Sequence, residues 1–385
     1  MHIKDRQRYD VVVIGGGIVG ASCTLALARA GLRVAVVEKE CWGSGATAAG
    51  MGHLVILDGN EAEYALSSYS QALWLAMGPK LPAGAEFRSP GTLWMAADDE
   101  EMVEAERKFH YLQERGLPAR LLSAAELKTE EPELRTGLAG GLLVPRDSVV
   151  FPPMVVKAML EEAASLGATL LLGSACTHLA DCEAHLADGS VLYATHLVNA
   201  GGAQAGSVMP GLPVKPRKGH LAITDRYPGF LHHQVVELGY MKSAKQLTAE
   251  SVACNVQPRA TGQILIGSSR QFGQEGSEID HALLGKMLRR CTQYLPGLEK
   301  LQVIRTWTGF RASTPDKLPL IGPDPRDSSL WLATGHEGLG ITTSLATAEL
   351  LACALTGRAP AIDPTPYLPA RLLEPTPLNT HKENL

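Results

Sequence analysis

Residues 11–20 read VVVIGGGIVG, and they decide the fold. Their glycines have the spacing G-x-G-x-x-G, at Gly15, Gly17 and Gly20. The valine-rich run before them is typical of a buried parallel strand, and the run of alanine and leucine after them is typical of a helix. A second apolar run, residues 32–37, ends at Glu38, 23 residues after the first glycine. This βαβ pattern predicts a dinucleotide site with the pyrophosphate at the helix start and Glu38 on the ribose hydroxyls. The alternative is a glycine turn in an ordinary βαβ unit.

Two further segments of small residues favour FAD over NAD as the dinucleotide. Residues 43–50 (GSGATAAG) directly follow the acidic residue and suit contact with phosphates and a flat ring. Residues 335–340 (GHEGLG) precede a helical run near the C-terminus. A helix N-terminus at that point would favour the negative charge of a reduced flavin. The two segments therefore predict that the two ends of the chain bracket one long dinucleotide.

Composition limits the other function classes. The 385-residue chain has a formal net charge of −5, so we expect no basic surface for nucleic acid. Seven scattered cysteines without a C-x-x-C pair favour a reducing compartment, and with no membrane-spanning stretch we expect a cytoplasmic protein. Cys176, His178, Cys182 and His185 could be interpreted as zinc ligands, but their spacing is not a standard zinc pattern. Residues 188–189 (DG) predict a hairpin there, so no metal site is expected.

The order of strand types predicts an α/β protein with two discontinuous domains. The first is a Rossmann-like FAD-binding domain formed by residues 1–82, 143–214 and 305–370. The second is an inserted antiparallel β-sheet substrate domain formed by residues 83–142 and 215–304, and residues 371–385 form a tail. Helices are predicted over residues 54–77, 98–115, 154–166 and 342–355, and a strand over residues 87–96.

Further motifs extend this pattern along nearly the whole chain. They are LVNAGG at 197–202, WTGFR at 307–311, TPDKLP at 314–319 and GHEGLG at 335–340. With the N-terminal motif and Glu38, the sequence resembles the D-amino acid oxidase superfamily, in particular its glycine oxidase and D-amino acid dehydrogenase branch. The stretch 335–340 is also similar to FAD subunits of opine and hydroxyproline catabolic dehydrogenases. The resemblance implies a flavin domain beneath a β-sheet substrate domain, and it is more specific for the superfamily than for a substrate.

The motifs and the resemblance together predict the cofactor-binding residues. These are Gly15, Gly17, Ile18, Val19, Gly20, Glu38, Lys39, Ser44, Ala46, Thr47, Gly50, Gly52, Ala200, Gly201, Gly338, Leu339, Gly340, Ile341 and Thr342. Some relatives attach FAD through a cysteine near the position of Arg311, where this chain has none. Non-covalent FAD is therefore expected, with a linkage through His53 as the minor alternative.

The resemblance also implies an arginine that binds the substrate carboxylate, and this role falls on Arg311. A guanidinium matches a carboxylate with two parallel donors. His336 is predicted to act with it at the flavin edge, and the alternative is a histidine packed in its loop. His53 and Asn255 complete the predicted substrate-binding set, although relatives tend to carry a tyrosine in the segment around Asn255, so that role is not transferred. Arg259 and Arg217 are the alternative clamps.

The predicted reaction is FAD-dependent removal of hydride from the Cα–N bond of a small amino acid, which gives the imine. The substrate is a D-amino acid or a secondary amino acid such as D-proline or D-hydroxyproline. Two alternatives stay open: a glycine or sarcosine oxidase that uses oxygen, and a non-catalytic FAD-binding subunit of an electron-transfer complex. The expected assembly is a homo-oligomer, or a hetero-oligomer with an electron-accepting flavin or iron–sulfur subunit.

Overall fold

The structure is a computed structural model that describes residues 8–239 and 250–374. Its strands are β1 (Arg8–Ile14), β2 (Val34–Glu38), β3 (His53–Leu54), β4 (Thr92–Ala96), β5 (Arg120–Ser123), β6 (Gly140–Val144), β7 (Ser148–Val149), β8 (Thr169–Leu172), β9 (Cys176–Ala180), β10 (Glu183–Leu186), β11 (Val191–Asn199), β12 (Lys215–Arg226), β13 (Gln234–Glu237), β14 (Glu250–Pro258), β15 (Gln263–Gln271), β16 (Val303–Ser313), β17 (Leu320–Asp324) and β18 (Asp327–Thr334).

Helices cover one face of the first sheet, whose other face packs against the β9–β10 hairpin and a short helix at 205–208, and helices lie on both faces of the second sheet. The α-helices are α1 (Ile18–Arg29), α2 (Glu61–Met77), α3 (Asp99–Glu114), α4 (Ala124–Glu130), α5 (Pro152–Ser165), α6 (Ala205–Val208), α7 (His281–Tyr294) and α8 (Gly340–Thr356). Short 3-10 helices lie at Gly78–Lys80, Ala83–Ala85, Gly202–Gln204, Pro296–Lys300, Thr365–Tyr367 and Pro369–Arg371.

The first sheet is built from strands of the beginning, middle and end of the chain, in the order β17-β18-β11-β1-β2-β8. All neighbours from β18 to β8 are parallel. Strands β1 and β2 are almost fully buried because helices cover one face and the β9–β10 hairpin covers the other, which explains their continuous valine runs. The carboxyl ends of β1, β2, β11 and β18 therefore meet at one edge of the sheet. The predicted Rossmann-like α/β architecture is confirmed.

The second sheet has the order β16-β12-β15-β14-β13-β4-β6-β5. It is antiparallel as predicted, except that β4 and β13 are parallel neighbours. The predicted boundaries at 142/143 and 304/305 each cut through a strand of this sheet, β6 and β16. By strand pairing, both of those strands belong with the second sheet in full. The partner of β16 is β12, about ninety residues earlier, and local residue pattern carries no information about a partner that distant.

Two predicted elements begin later in the chain than expected. The helix expected over 54–77 starts at Glu61, because Asn60 caps it by accepting a hydrogen bond from the Glu63 N–H at 2.8 Å. The residues before it, 53–54, pair instead with β7. The strand expected over 87–96 starts at Thr92. In both cases a tertiary pairing or a cap determines the first residue of the element. The spacing of apolar residues does not predict that position.

The C-terminal end of the described residues packs against the first domain. Tyr367 is fully buried, and its hydroxyl donates to the Ala62 carbonyl at 2.7 Å. Arg371 pairs with Asp316 at 2.6 Å. Residues 375–385 of the predicted tail lie outside the described residues. Within residues 8–239 and 250–374, no helix is both long enough and apolar enough to cross a bilayer.

Candidate active site

The glycine-rich turn joins β1 to α1 as predicted. A side chain at Gly20 would place its Cβ 1.8 Å from the Gly15 carbonyl oxygen, so the close contact of helix and turn requires glycine. The N-cap residue of α1 is Gly17, which has no side chain to cap the helix. Its first amide, Ile18 N–H, donates to the Thr47 hydroxyl at 2.9 Å. The positive end of α1 is therefore lined by backbone, with Val19 as the next residue of its first turn, as a phosphate-binding turn requires.

Glu38 lies at the end of β2, beside this turn. Its two carboxylate oxygens accept from the Gly16 N–H and the Glu40 N–H, both at 2.8 Å. The side chain is thus held at the carboxyl edge of the sheet, where the ribose is predicted. Lys39, also predicted to bind the cofactor, is exposed and donates to Gln204 at 2.6 Å.

The other predicted cofactor residues converge on the same edge. The Ala200 N–H donates to the Ile14 carbonyl at 2.8 Å, so the segment with Ala200 and Gly201 runs beside the turn. The segment from Ser44 through Ala46 to Gly52 crosses in front of the sheet, and Gly50 packs against Ile341 at the start of α8. That start comprises Gly338, Leu339, Gly340, Ile341 and Thr342. Its N-cap, like that of α1, supplies no side-chain hydrogen bond.

One face of strands β12 and β16 is turned towards this loop. Every second residue of a strand points to the same side, so this face of β16 carries Trp307, Gly309 and Arg311. The Trp307 indole N–H donates to the Ala49 carbonyl at 3.4 Å, and Gly309 packs against Ala49. The cross-strand partners on the same face are Leu221, Gly219 and Arg217. Met51 packs beside Leu221 in the same apolar cluster. The second sheet thus covers the loop that the sequence assigns to the flavin.

Arg311 lies flat on this face. Its guanidinium occupies the space above Gly219, where a Cβ would be 2.5 Å from Nη1. Nη1 donates to the Ser269 carbonyl at 3.1 Å. The Ser269 hydroxyl is in turn fixed by His220, whose backbone N–H lies at 2.9 Å and whose Nδ1 lies at 2.8 Å. The Asp280 N–H donates to His220 Nε2 at 3.0 Å, so Nδ1 carries the proton. Sequence analysis missed Ser269, because nothing local marks a carbonyl that holds a distant arginine.

The two alternative clamps are already paired. Arg217 Nη1 lies 2.7 Å from Glu337 Oε1, and both side chains are mostly buried. Arg259 pairs with Glu86 at 2.9 Å and stacks over Phe151. Glu337 was also missed, although it stands inside GHEGLG. Of the three arginines, Arg311 is the one whose guanidinium lies over Gly219, on the face turned towards the loop.

His53 is brought to the site from the first domain. Gln234 Nε2 lies 2.9 Å from His53 Nδ1. With the amide nitrogen as donor, Nδ1 accepts and Nε2 carries the proton. Burial lowers the pKa of His53 to about 3, and the neighbouring Gln257 amide only partly offsets this. His53 is therefore a neutral hydrogen-bond donor at neutral pH. The Thr342 hydroxyl donates to the His53 carbonyl at 2.8 Å and connects this residue to α8.

Several buried polar atoms near His53 have no hydrogen-bond partner within residues 8–239 and 250–374. They are His53 Nε2, Asn255 Oδ1, and both side-chain polar atoms of Gln257. Unpartnered buried polar groups are costly, so they usually indicate a missing partner. Asn255 faces Gly267 across the ladder, and Gly267 packs against Met51 and Leu221. This cluster thus lies on the covered face and fits a ligand that supplies hydrogen bonds.

His336 lies in the loop before α8. Its imidazole is buried, and Nε2 is 2.9 Å from the Thr347 hydroxyl of α8. Burial lowers the pKa of His336 to about 3. These contacts suit the alternative of a packed loop histidine, and the role at the flavin edge stays a prediction.

The residues present fit FAD. Two helices start at the same sheet edge with backbone-lined N-termini, an acid sits at the ribose position, and unpartnered polar atoms line the covered face. The family model described as "FAD dependent oxidoreductase" (DAO) matches residues 10–354. The chain belongs to this family.

The predicted recognition and the predicted cofactor are confirmed: the oxidoreductase is FAD-dependent. It is 30% identical over 380 residues to the glycine oxidase of Geobacillus kaustophilus, covering 94% of this chain and 96% of the relative. It is 27% identical to the hydrogen cyanide synthase subunit HcnC of Pseudomonas aeruginosa, covering 96% and 98%. The crystal structure of L-proline dehydrogenase from P. horikoshii superposes with a TM-score of 0.84 at 25% identity, covering 95% and 98%.

Proposed function

We propose that the oxidoreductase oxidises the Cα–N bond of a small primary or secondary amino acid to the imine, with Arg311 as the clamp for the substrate carboxylate. The observation that carries the proposal is the Arg311 guanidinium, lying over Gly219 on the face that covers the flavin loop. The similarity to a glycine oxidase and to an L-proline dehydrogenase supports an amino acid as substrate. D-proline and D-hydroxyproline stay within this proposal.

FAD, when bound, would supply the two-electron acceptor, and the chain's own residues would bind and orient the substrate. Arg311, held by the Ser269 carbonyl, pairs with the carboxylate. The buried face and the positive charge of Arg311 lower the pKa of the substrate amine, so its lone pair is available. His53 Nε2–H offers a neutral donor, and Asn255 Oδ1 an acceptor, to the polar groups of the ligand. Orientation of this kind can contribute several of the ~7–11 kcal/mol available from proximity.

The first prediction concerns the clamp. Arg311→Lys keeps the charge but loses the forked geometry, so we expect it to weaken amino acid binding, and Arg311→Ala more so. Loss of a charge-assisted hydrogen bond costs about 1.5–3 kcal/mol, which is about ten- to a hundredfold in affinity. The measurement is the rate of anaerobic flavin reduction across amino acid concentrations, after flavin occupancy has been checked.

Arg259→Lys is the matched control, because Arg259 is paired with Glu86 and lies apart from Arg311. Its reduction kinetics should match the native enzyme. FAD content should persist in all three variants. Native affinity and rate in Arg311→Ala would show that another group holds the carboxylate.

The second prediction concerns the electron acceptor. The similarity to HcnC, which is named as a subunit of a synthase, favours a hetero-oligomer that passes electrons to a partner. We therefore expect the reduced enzyme to react slowly with oxygen and quickly with a dye acceptor. Stopped-flow reoxidation in air measures this directly. Reoxidation as fast as substrate turnover would favour the alternative, an oxidase for glycine or sarcosine. The cytoplasmic location and the non-covalent state of FAD also stay predictions.

A further inference from the structure

The face that carries Arg311 holds a second guanidinium. Arg217 lies directly opposite Arg311 in the pairing of β12 with β16. Two like charges directly opposite each other destabilise a sheet. Glu337 offsets this, because its Oε1 is 2.7 Å from Arg217 Nη1. The Glu337 N–H donates to the Ala312 carbonyl at 2.7 Å, which fixes the carboxylate next to β16. The three side chains together carry one net positive charge.

Glu337 is ionised in this setting. Burial opposes ionisation, but the Ser313 hydroxyl and the guanidinium groups of Arg217 and Arg311 outweigh it and keep the pKa of Glu337 below its usual value. Its side chain is 14% exposed and that of Arg217 is 6% exposed, so the pair is only weakly screened by water. Arg217 also stacks on Phe272, with its guanidinium carbon 4.5 Å from the ring centroid. Its orientation is therefore fixed from two sides.

We propose that Glu337 is a specificity-determining residue: by pairing with Arg217, it neutralises the second cation on this face, and the site selects monocarboxylic over dicarboxylic amino acids. The inference rests on the proposed function, in which Arg311 holds the substrate carboxylate. It adds the charge class of the substrate, which neither the motifs nor the similarities define.

Two effects produce this selection. The second carboxylate of a short dicarboxylic substrate would find Arg217 already paired. It would also approach Glu337, whose Oε2 is buried and has no hydrogen-bond partner in the described part of the chain. Juxtaposed like charges in a buried site are strongly unfavourable and are a common means of excluding a competing ligand. A neutral residue at position 337 would remove the repulsion of the second carboxylate and leave the Arg217 guanidinium without its ion-pair partner.

The test uses the oxidised holoenzyme and two carboxylates that cannot be oxidised at a Cα–N bond, propionate and succinate. Their dissociation constants are measured from the perturbation of the flavin absorbance. We expect the native enzyme to bind propionate more tightly. Glu337→Gln should shift the ratio of the two constants by about tenfold or more towards succinate. The double variant Arg217→Gln/Glu337→Gln has the native net charge, so its ratio should return towards the native value.

Glu237→Gln is the matched control. Glu237 is a buried carboxylate on the second sheet whose Oε2 accepts from Arg290 Nε at 2.7 Å. Loss of that pair should leave the succinate-to-propionate ratio unchanged. FAD content and thermal unfolding are checked for every variant. If Glu337→Gln does not retain FAD, the inference is tested by the native enzyme alone, from its dissociation constants for propionate and succinate.

Any of three results would overturn the inference. The first is that the native enzyme binds succinate as tightly as propionate, and the second is that Glu337→Gln leaves the succinate-to-propionate ratio of dissociation constants unchanged. The third is that the single and double variants shift this ratio equally, because that would indicate an effect of pocket size and not of charge. Failure of the proposed clamp is a different result: Arg311→Ala would then bind both carboxylates with native constants.

Discussion

The guanidinium of Arg311 is held by Ser269, a residue of β15. The Ser269 carbonyl accepts from Arg311 Nη1, and the Ser269 hydroxyl accepts from the backbone and ring N–H groups of His220. Burial lowers the pKa of His220, which keeps the ring neutral and the tautomer fixed. If Arg311 holds the substrate carboxylate, as we propose, Ser269 and His220 are positioning residues, because they contact the arginine and act through it.

Ser269→Ala leaves the two His220 donors without their acceptor, which costs about 1–3 kcal/mol. The strand should shift locally, and we expect KM for the amino acid to rise by roughly tenfold with a smaller change in kcat, since a clamp acts on bound substrate and transition state alike. Ser269→Thr keeps the hydroxyl and should restore KM. Ser190→Ala, in an exposed turn where the hydroxyl binds Asp188, is the control. Unchanged KM in Ser269→Ala would rule out the positioning role.

At the scale of elements, the ladder between β12 and β16 forms a smooth groove, because Gly219 and Gly309 are directly opposite each other. The Arg311 guanidinium lies over the first glycine, and Ala49 of the flavin loop packs against the second. A pair of glycines in adjacent strands thereby lets a charged side chain and a loop approach the sheet closely.

Gly219→Ala tests this groove. The new methyl group would lie 2.5 Å from Arg311 Nη1, so the guanidinium must move off the Ser269 carbonyl. We expect weaker amino acid binding with FAD content unchanged, measured by anaerobic titration. Gly206→Ala is the control, because a Cβ there meets no atom within 4 Å. Equal amino acid affinity in the two variants would show that the arginine tolerates displacement.

At the scale of the whole molecule, Asp147 couples the two sheets. It lies in the β6–β7 turn and is 2% exposed, and Gln71 of α2 donates to its Oδ1 at 3.1 Å. Burial raises the pKa of Asp147 to about 7, against opposing hydrogen bonds. Its pKa in the unfolded chain is ~3.9. Between these two pH values the folded protein binds more protons than the unfolded one, so the free energy of unfolding falls as pH rises.

Asp147→Asn removes this dependence, since the amide does not titrate. The difference in Tm between variant and native protein should therefore change in favour of the variant as pH rises from 5 to 8. Thermal denaturation of both proteins across that range measures the difference, and other titrating groups cancel. A constant difference between the two Tm values would show that Asp147 is already ionised at pH 5.

The sequence by itself determined the α/β class, the βαβ turn with its helix, the family and FAD, because those signals are local: a glycine spacing, an apolar run, an acid at the end of a strand. It also selected Arg311 through a motif. It left two interpretations of His336, at the flavin edge or packed in its loop, and only the structure shows the contact of this ring with Thr347. It did not predict that Arg217 and Glu337 form an ion pair.

Tertiary structure decided which strand pairs with which and therefore which charges meet. Residues 303–313 were divided between two domains by sequence order, but they pair with β12 along their whole length. That pairing places Arg217 opposite Arg311, and the loop before α8 then brings Glu337 to Arg217. The physical reason is range: helix starts and tight turns are set by neighbours in sequence, whereas a charge balance on a sheet face depends on residues about 120 positions apart.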